Sequence, residues 1–397
     1  MRPLRIGVLA RTLSQRYGVG VYAENFLRAL AGLGSEHEVV VFLRAPAGGR
    51  LPEGGKLRPV VVGAPSKALW DQAAAPRAAR RERVDFLFNT KFTLPLVAPC
   101  PTGMCLHGSM YFVHPELCGS RLDTLYLRAF MPRYLAAASL LVANSELTAR
   151  DHLRAYPRET AGKIRVLPLA AAEEFAPVED TAVLQEARRR YALPPRFWLT
   201  VSRRDPRKNL PALFAALARL PRPRLPLVAV GEGSETYARE CDFEGLGIAG
   251  EVVFPGYVPQ ADLPALYTLA EGLVFPSIYE EFGIPLVEAM RCGCPVIAAG
   301  TGALPEVAGE AALLVDPRSP AELAAAMARL EGDPELRATL ARRGLERARR
   351  FSWWEHARGF VAAVEEVCAR SAERVVRRES VEHRGRGWAP ARSPRHD

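Results

Sequence analysis

The stretch PSIYEEFGIPLVEAMRCGCPV, residues 276–296, decides the fold. It follows the apolar run 272–275, sets Glu280 and Glu288 with seven residues between them, and passes into a second apolar run at 295–298. A strand, a loop containing Phe282, Gly283, Ile284 and Pro285, a helix beginning near Pro285 and another strand make one unit of a parallel sheet with helical crossovers. The free backbone N–H groups at such a helix start favour a pyrophosphate. Glu280 then lies on the loop beside the anion. Glu288 lies about one turn into the helix, where a carboxylate accepts hydrogen bonds from vicinal ribose hydroxyls. Taken singly, both glutamates also suit a solvated surface or a favourable charge near a helix N-terminus.

Outward from this unit the same alternation continues. Strands are expected at 4–10, 38–43, 58–62, 85–88, 103–106 and 140–143, with a helical pattern over 22–33. The pattern restarts at 198–202 and runs through 227–231, 251–254, 272–275, 295–298 and 312–315. Two doubly wound α/β domains result, as the 397-residue length also suggests. We place the first at 1–172, a polar linker with the Pro194-Pro195 pair at 173–195, and the second at 196–350. Helical patterns cover 321–330, 334–349 and 353–370, and 371–397 is expected to be a basic, disordered tail.

Composition narrows the function classes. Hydrophobic residues make up 49% and charged residues 24%, the profile of a folded protein. A net charge of +9 favours anionic partners without choosing among nucleotides, nucleic acid and acidic lipid. The seven cysteines lack paired metal-ligand spacing, so neither a zinc site nor a disulfide framework is expected, and a cytoplasmic setting fits. No apolar run reaches membrane-spanning length, which leaves peripheral contact as the mode of any membrane association.

A second constellation is TVSRRDPRKN at 200–209, where Arg203 leaves a strand end and Lys208 follows five residues later. An arginine fork and a lysine point charge together can neutralise a departing diphosphate. Arg204 and Arg207 compete for the same role, and a basic turn is commonly just solvated surface. Near the N-terminus Gly18 and Gly20 open a helix and let backbone approach a phosphate. With Ala23 they also fit a dinucleotide fingerprint, but they come about seven residues after the strand, and Arg44 stands where an acidic residue would be expected. His107 follows a strand of the first domain and precedes Gly108, at the sheet edge where such folds bind ligands. His114 is its nearest competitor. Asn144-Ser145-Glu146 reads equally as a helix cap or a ligand contact, and 301–306 forms a further loop on the second domain's edge.

Together these residues resemble the retaining glycosyltransferases of family 4, whose GT-B architecture sets two Rossmann-like domains face to face. The resemblance spans residue 5 to about 370 and rests chiefly on Glu280, Phe282-Gly283 and Glu288. Arg203, Lys208-Asn209, Gly20, His107-Gly108, Asn144-Ser145-Glu146 and 301–306 fall at the family's expected places. It implies a nucleotide diphosphate sugar as donor, GDP- or UDP-linked, with no cofactor and no metal. Arg203 and Lys208 would hold the diphosphate, Glu288 the ribose, Glu280 the transferred hexose, and the backbone of Phe282, Gly283, Ile284 and Pro285 the sugar and phosphates. His107 would contact the sugar from the opposite domain, the loop containing Val258 would hold the base, and residues 351–370 would cross back onto the first domain. The acceptor implied is a glycan, a lipid-linked glycan or a small molecule. Three positions depart from the family pattern: Ser202 and Glu281 stand where glycine is common, and one glycine is missing beside Gly18.

Two other readings use the same residues: an NADP-dependent oxidoreductase, and a non-catalytic sensor of sugar nucleotides. Arginines in the tail suggest nucleic acid, but Glu373, Glu379 and Glu382 interrupt them, so no specific nucleic-acid partner is expected. In the first domain, Arg121, Arg128 and Arg133 accompany Leu122, Leu125, Tyr126, Leu127 and Phe130 on a helical pattern that suits either an anionic membrane surface or ordinary packing.

Overall fold

Thirteen short strands, most of them rich in Val, Leu, Ile or Phe, form two all-parallel sheets in the computed structural model, which describes residues 2–15, 18–47, 50–52 and 54–385. The first sheet comprises β1 (Arg5–Leu9), β2 (Glu38–Leu43), β3 (Leu57–Val61), β4 (Phe86–Asn89), β5 (Thr102–Leu106), β6 (Leu140–Ala143) and β7 (Ile164–Val166). Its order is β3-β2-β1-β4-β5-β6-β7. The second comprises β8 (Trp198–Val201), β9 (Leu227–Val230), β10 (Val252–Gly256), β11 (Gly272–Phe275), β12 (Val296–Ala299) and β13 (Ala312–Val315), ordered β10-β9-β8-β11-β12-β13.

In both sheets the order reverses beside the first strand, between β1 and β4 and between β8 and β11. At such a reversal the crossovers leave in opposite directions and open a crevice beyond the carboxyl ends of the strands. The loops that follow β1, β4, β8 and β11 are therefore the ones placed to meet a ligand. The two-domain α/β expectation holds. The inner strands of both sheets are buried on both faces, which is why they read as continuous apolar runs rather than alternating ones.

Three expectations need correction. Strand β7 was not foreseen, because its sequence Ile-Arg-Val is short and only partly buried at the sheet edge. The stretch 173–195 is not uniformly polar connection: Phe175 is buried, and a helix covers Thr181–Arg190, capped by Asp180, whose side chain accepts a hydrogen bond from Ala182 N. The third concerns the tail. The helix starting at Trp353 continues to Gly385, since 371–384 contain no proline or glycine and are rich in Glu and Arg, both good helix formers; residues 386–397 lie outside the described residues.

That last helix, Trp353–Gly385, lies against the first domain's helix Val19–Gly32. Phe360 packs edge-on to Phe26 at 5.0 Å and against Phe88 at 4.6 Å between ring centroids. His356 is buried between Tyr22 and the chain at Pro168: its Nδ1 donates to the Pro168 carbonyl at 3.1 Å, and Tyr22 Oη lies 3.2 Å from its Nε2. Burial pushes this imidazole down to about 4, so it is held neutral.

Candidate active site

The loop after β8 is shaped by its own charges. Asp205 caps the short turn Pro206–Lys208 by accepting from Arg207 N at 3.0 Å, and its carboxylate also grips the Arg207 guanidinium at 2.7 Å. Burial works to raise Asp205, but the hydrogen bonds and charge of Arg207 outweigh it and hold the carboxyl below its ordinary value. Burial likewise opposes the charge on Arg207, and Asp205, Glu280 and Glu281 overcome it and raise the group. Asn209 then takes a left-handed conformation, φ 57°, and its amide donates to the carbonyls of Pro276 and Pro317. The loop is thus tied to the one after β11, a tie completed by Ile278 N donating to Arg207 O at 2.7 Å.

This geometry separates the competing cations. Arg204 turns away to Glu240 at 2.6 Å, and Arg207 is committed to Asp205. Lys208 points to the second carboxylate loop, where Nζ donates to Glu280 Oε1 at 2.6 Å and lies 4.8 Å from the centre of the Phe275 ring. Arg203 remains 55% exposed, with Asp205 at 3.7 Å as its nearest counter-charge. Of the four, Lys208 is the one hydrogen-bonded to a carboxylate of the loop after β11, and Arg203 the one without a hydrogen-bonded carboxylate among the described residues.

Gly283, φ 92°, precedes the helix Ile284–Arg291, and a side chain there would strike Leu304 Cδ2 at 2.5 Å. The loop 301–303 supports Glu280 from behind. Ala303 N donates to Glu280 O at 2.9 Å, and a Cβ on Gly302 would come within 2.6 Å of that same carbonyl. Phe282 is buried with its ring edge-on to Phe351 at 5.4 Å. Glu288 sits inside the second domain, where it accepts from Tyr267 Oη at 3.0 Å; burial pushes its carboxyl up to about 7. Val258 is buried beyond β10 at the far edge of the sheet.

The first domain closes the site from the other side. His107 Nε2 donates to the Thr90 carbonyl at 2.5 Å, fixing the ring beyond β5, and burial pushes the imidazole down to about 4. Its Nδ1 is therefore an acceptor in the neutral ring. The adjacent Gly108 lies directly under Glu281: a Cβ there would sit 2.2 Å from Glu281 Oε1. Burial pushes the Glu281 carboxyl up to about 7, against the lowering effect of Arg207 at 3.9 Å.

Sequence reasoning missed two further contacts across the cleft. Tyr279 Oη lies 2.6 Å from Ser109 Oγ, and both hydroxyls reach the Asp151 carboxylate. Glu306 accepts from Glu146 N at 2.8 Å and Leu147 N at 3.1 Å, so it caps the first-domain helix Glu146–Ala155 from the opposite domain. Position in the known loops was the available signal for both. Gly20 is the second residue of the helix Val19–Gly32 and faces its own chain: a Cβ there would sit 1.9 Å from the Gln15 carbonyl oxygen. Gly18, φ 54°, is the residue preceding that helix, in a conformation costly for other residues.

Gly108 and Ser109, next to His107, thus meet Glu281 and Tyr279 across the cleft, beside the Lys208–Glu280 pair, at the carboxyl ends of two sheets. His114 instead stacks edge-on to Tyr279 at 4.9 Å and pairs with Glu116. Among the described residues there is no group of three or more His, Cys, Asp or Glu arranged to hold a metal, and no helix long and apolar enough to cross a membrane.

Comparison with known proteins adds to this geometry. Residues 17–174 match the family described as Glycosyltransferase Family 4, and residues 185–347 match Glycosyl transferases group 1. Over 238 residues the chain is 34% identical to the O-antigen chain mannosyltransferase B of Escherichia coli; the match covers 57% of this chain and 61% of that one, under two-thirds of its length. Solved structures share the fold. Sucrose-phosphate synthase from Thermosynechococcus elongatus is 24% identical at a TM-score of 0.74, covering 92% of this chain and 99% of that one. Anabaena Alr3699/HepE in complex with UDP-glucose is 21% identical at 0.72, covering 93% and 100%. With both domains matched in sequence and the whole two-sheet arrangement matched in structure, the chain belongs to the family 4 glycosyltransferases of GT-B architecture.

Proposed function

We propose that this chain transfers a hexosyl group, mannosyl or glucosyl, from a nucleotide diphosphate sugar to an acceptor hydroxyl, with retention of configuration at the anomeric carbon and without a metal. The observation that carries this reading is the Lys208–Glu280 pair at the crevice between β8 and β11, facing the His107-Gly108 turn of the other domain. Donor phosphate would take Lys208 from Glu280, and the freed carboxylate would accept from sugar hydroxyls. Arg203 and Lys208 would then stabilise the diphosphate as the bond from the anomeric carbon to its oxygen breaks. The acceptor oxygen forms its bond on that same face, and its proton passes to the departing phosphate oxygen. His107, whose Nε2 is bonded to the Thr90 carbonyl and whose Nδ1 lies 3.9 Å from Cys105 Sγ, would border the sugar as a neutral ring, and Glu288 would hold the ribose.

The relative named for mannosyl transfer and the neighbour solved with UDP-glucose support a GDP- or UDP-linked donor. A glycan or lipid-linked glycan fits as acceptor by the same likeness. Leu122 and Leu125 are 80% and 67% exposed on the helix Arg121–Ala137, which also carries Arg128 and Arg133, so this face would rest on an anionic bilayer. Flotation with anionic vesicles should carry the protein, and Leu122→Gln with Leu125→Gln should abolish it; vesicle binding unaffected by both changes would remove this contact.

The deciding experiment is a thermal-shift titration with UDP, GDP, ADP and NADPH, since a ligand of the folded state raises its melting temperature. A shift selective for one nucleoside diphosphate, absent in Lys208→Ala, is expected. A response to NADPH alone would favour an oxidoreductase. Donor turnover in an acceptor mixture separates an enzyme from a sensor.

A further inference from the structure

The segment 278–281 is gripped from two sides. Within its own domain, Ile278 N donates to Arg207 O at 2.7 Å, Thr301 Oγ1 donates to Ile278 O at 2.9 Å, and Ala303 N donates to Glu280 O at 2.9 Å. The side chains then alternate in their partners. Glu280 turns to Lys208 of the same domain, whereas Tyr279 and Glu281, on either side of it in sequence, meet Ser109 and Gly108 of the first domain.

Tyr279 is occupied entirely by that seam. It is buried, its ring packs edge-on to His114, and Ser109 Oγ at 2.6 Å and Asp151 Oδ2 at 3.0 Å both lie within reach of its hydroxyl. A phenol carries one proton, so none is left to offer a substrate. Whatever Tyr279 does for the site, it does through its neighbours.

Asp151 lies on the helix Glu146–Ala155, and Glu306 accepts from the first two N–H groups of that same helix. One helix of the first domain therefore holds both Tyr279 and Glu306. These two residues belong to the segments, 277–281 and 301–306, whose mutual hydrogen bonds frame Glu280. A hydroxyl-to-carboxylate bond withdrawn from water is stronger than one between neutral groups, so the tie at Tyr279 can hold the adjacent residue in register.

We propose that Tyr279 is a positioning residue for Glu280: its hydroxyl, tied to Ser109 and Asp151, sets the neighbouring carboxylate in the orientation that receives the transferred sugar. This rests on the transferase reading, which puts the sugar at Glu280. Nucleotide binding does not depend on the tie, and sugar binding does.

The test is titration calorimetry on the full chain with UDP, GDP, UDP-glucose and GDP-mannose. Tyr279→Phe removes the hydroxyl alone and keeps the ring against His114. It should weaken the nucleotide sugar that the wild-type chain binds by about tenfold, the loss of one charge-assisted hydrogen bond, while the matching free nucleotide keeps its affinity within about twofold. Asp151→Asn, made in the other domain, should give the same split, and kcat for nucleotide release should fall in both. Glu280→Gln should also spare the free nucleotide, and adding Tyr279→Phe to it should cost nothing further, because the hydroxyl acts through that carboxylate. Equal weakening of nucleotide and nucleotide sugar, a nucleotide-sugar affinity untouched by either single change, or additive losses in the double variant overturns the proposal. Failure of both UDP and GDP to bind the wild-type chain would instead overturn the transferase reading beneath it.

Discussion

Lys208 Nζ and Glu280 Oε1, 2.6 Å apart, join the loop after β8 to the loop after β11 and neutralise each other there. The pair keeps an unliganded crevice from holding an uncompensated charge, and exchange of partners is the event by which a donor would be admitted. Lys208→Ala should weaken nucleoside diphosphate binding about tenfold to a hundredfold, the range for losing a charge-assisted hydrogen bond. Glu280→Gln should leave nucleotide affinity within a few-fold while lowering kcat. Titration calorimetry against steady-state rates separates the two, and equal losses of affinity would mean that the two side chains act as one structural unit.

Gly108 and Glu281 meet across the cleft with no room for a methyl group between them. Gly108→Ala should therefore hold the domains apart and lower kcat/KM tenfold or more. Adding Glu281→Gly, the residue common in the family at this position, should recover most of that loss. A double-mutant cycle showing simple additivity would contradict the contact.

Glu306 reaches from one domain to the helix N-terminus of the other. Glu306→Gln removes its charge from two backbone donors, an interaction of about 1 kcal/mol. The expected result is a larger radius of gyration in solution scattering and a several-fold drop in kcat, with nucleotide affinity retained.

Burial holds the Glu288 carboxyl near 7 instead of its ordinary 4.5. The folded chain then binds more protons than the unfolded chain between those values, so this group's contribution to stability is complete below about 4.5 and is lost as pH rises through about 7. Ribose hydroxyls favour the ionised form, so nucleotide affinity should rise over the same interval. Glu288→Gln should flatten both profiles, as melting curves and binding titrations from pH 4.5 to 8 would show.

Much of the architecture was legible because parallel strands buried on both faces leave continuous apolar runs, and those runs marked twelve of the thirteen strands. The exception, β7, is an edge strand of three residues with an arginine at its centre. The two carboxylates and the cations of 203–208 were legible from spacing, but which carboxylate each cation pairs with was not. That depends on Asp205 and Glu240 claiming Arg207 and Arg204, and Glu240 lies more than thirty residues away in sequence. Tyr279, Ser109 and Asp151 were hidden for the same reason: hydroxyls and a helical aspartate have no signature until two domains bring them together. Gly20 shows the reverse case, a glycine whose position suggested a phosphate and whose immediate neighbour is the chain's own Gln15 carbonyl.

The helix beginning at Trp353 buries Phe26 and Phe88 of the first domain, yet it is encoded after the entire second domain. During synthesis the amino-terminal half therefore emerges with a greasy stripe along Val19–Gly32 left uncovered until almost the whole chain has been made. Ribosome-bound intermediates of this protein would be sticky for most of translation, and a stop codon placed just before Trp353 would leave the second domain's sheet intact while stranding its partner in a chaperone-dependent state.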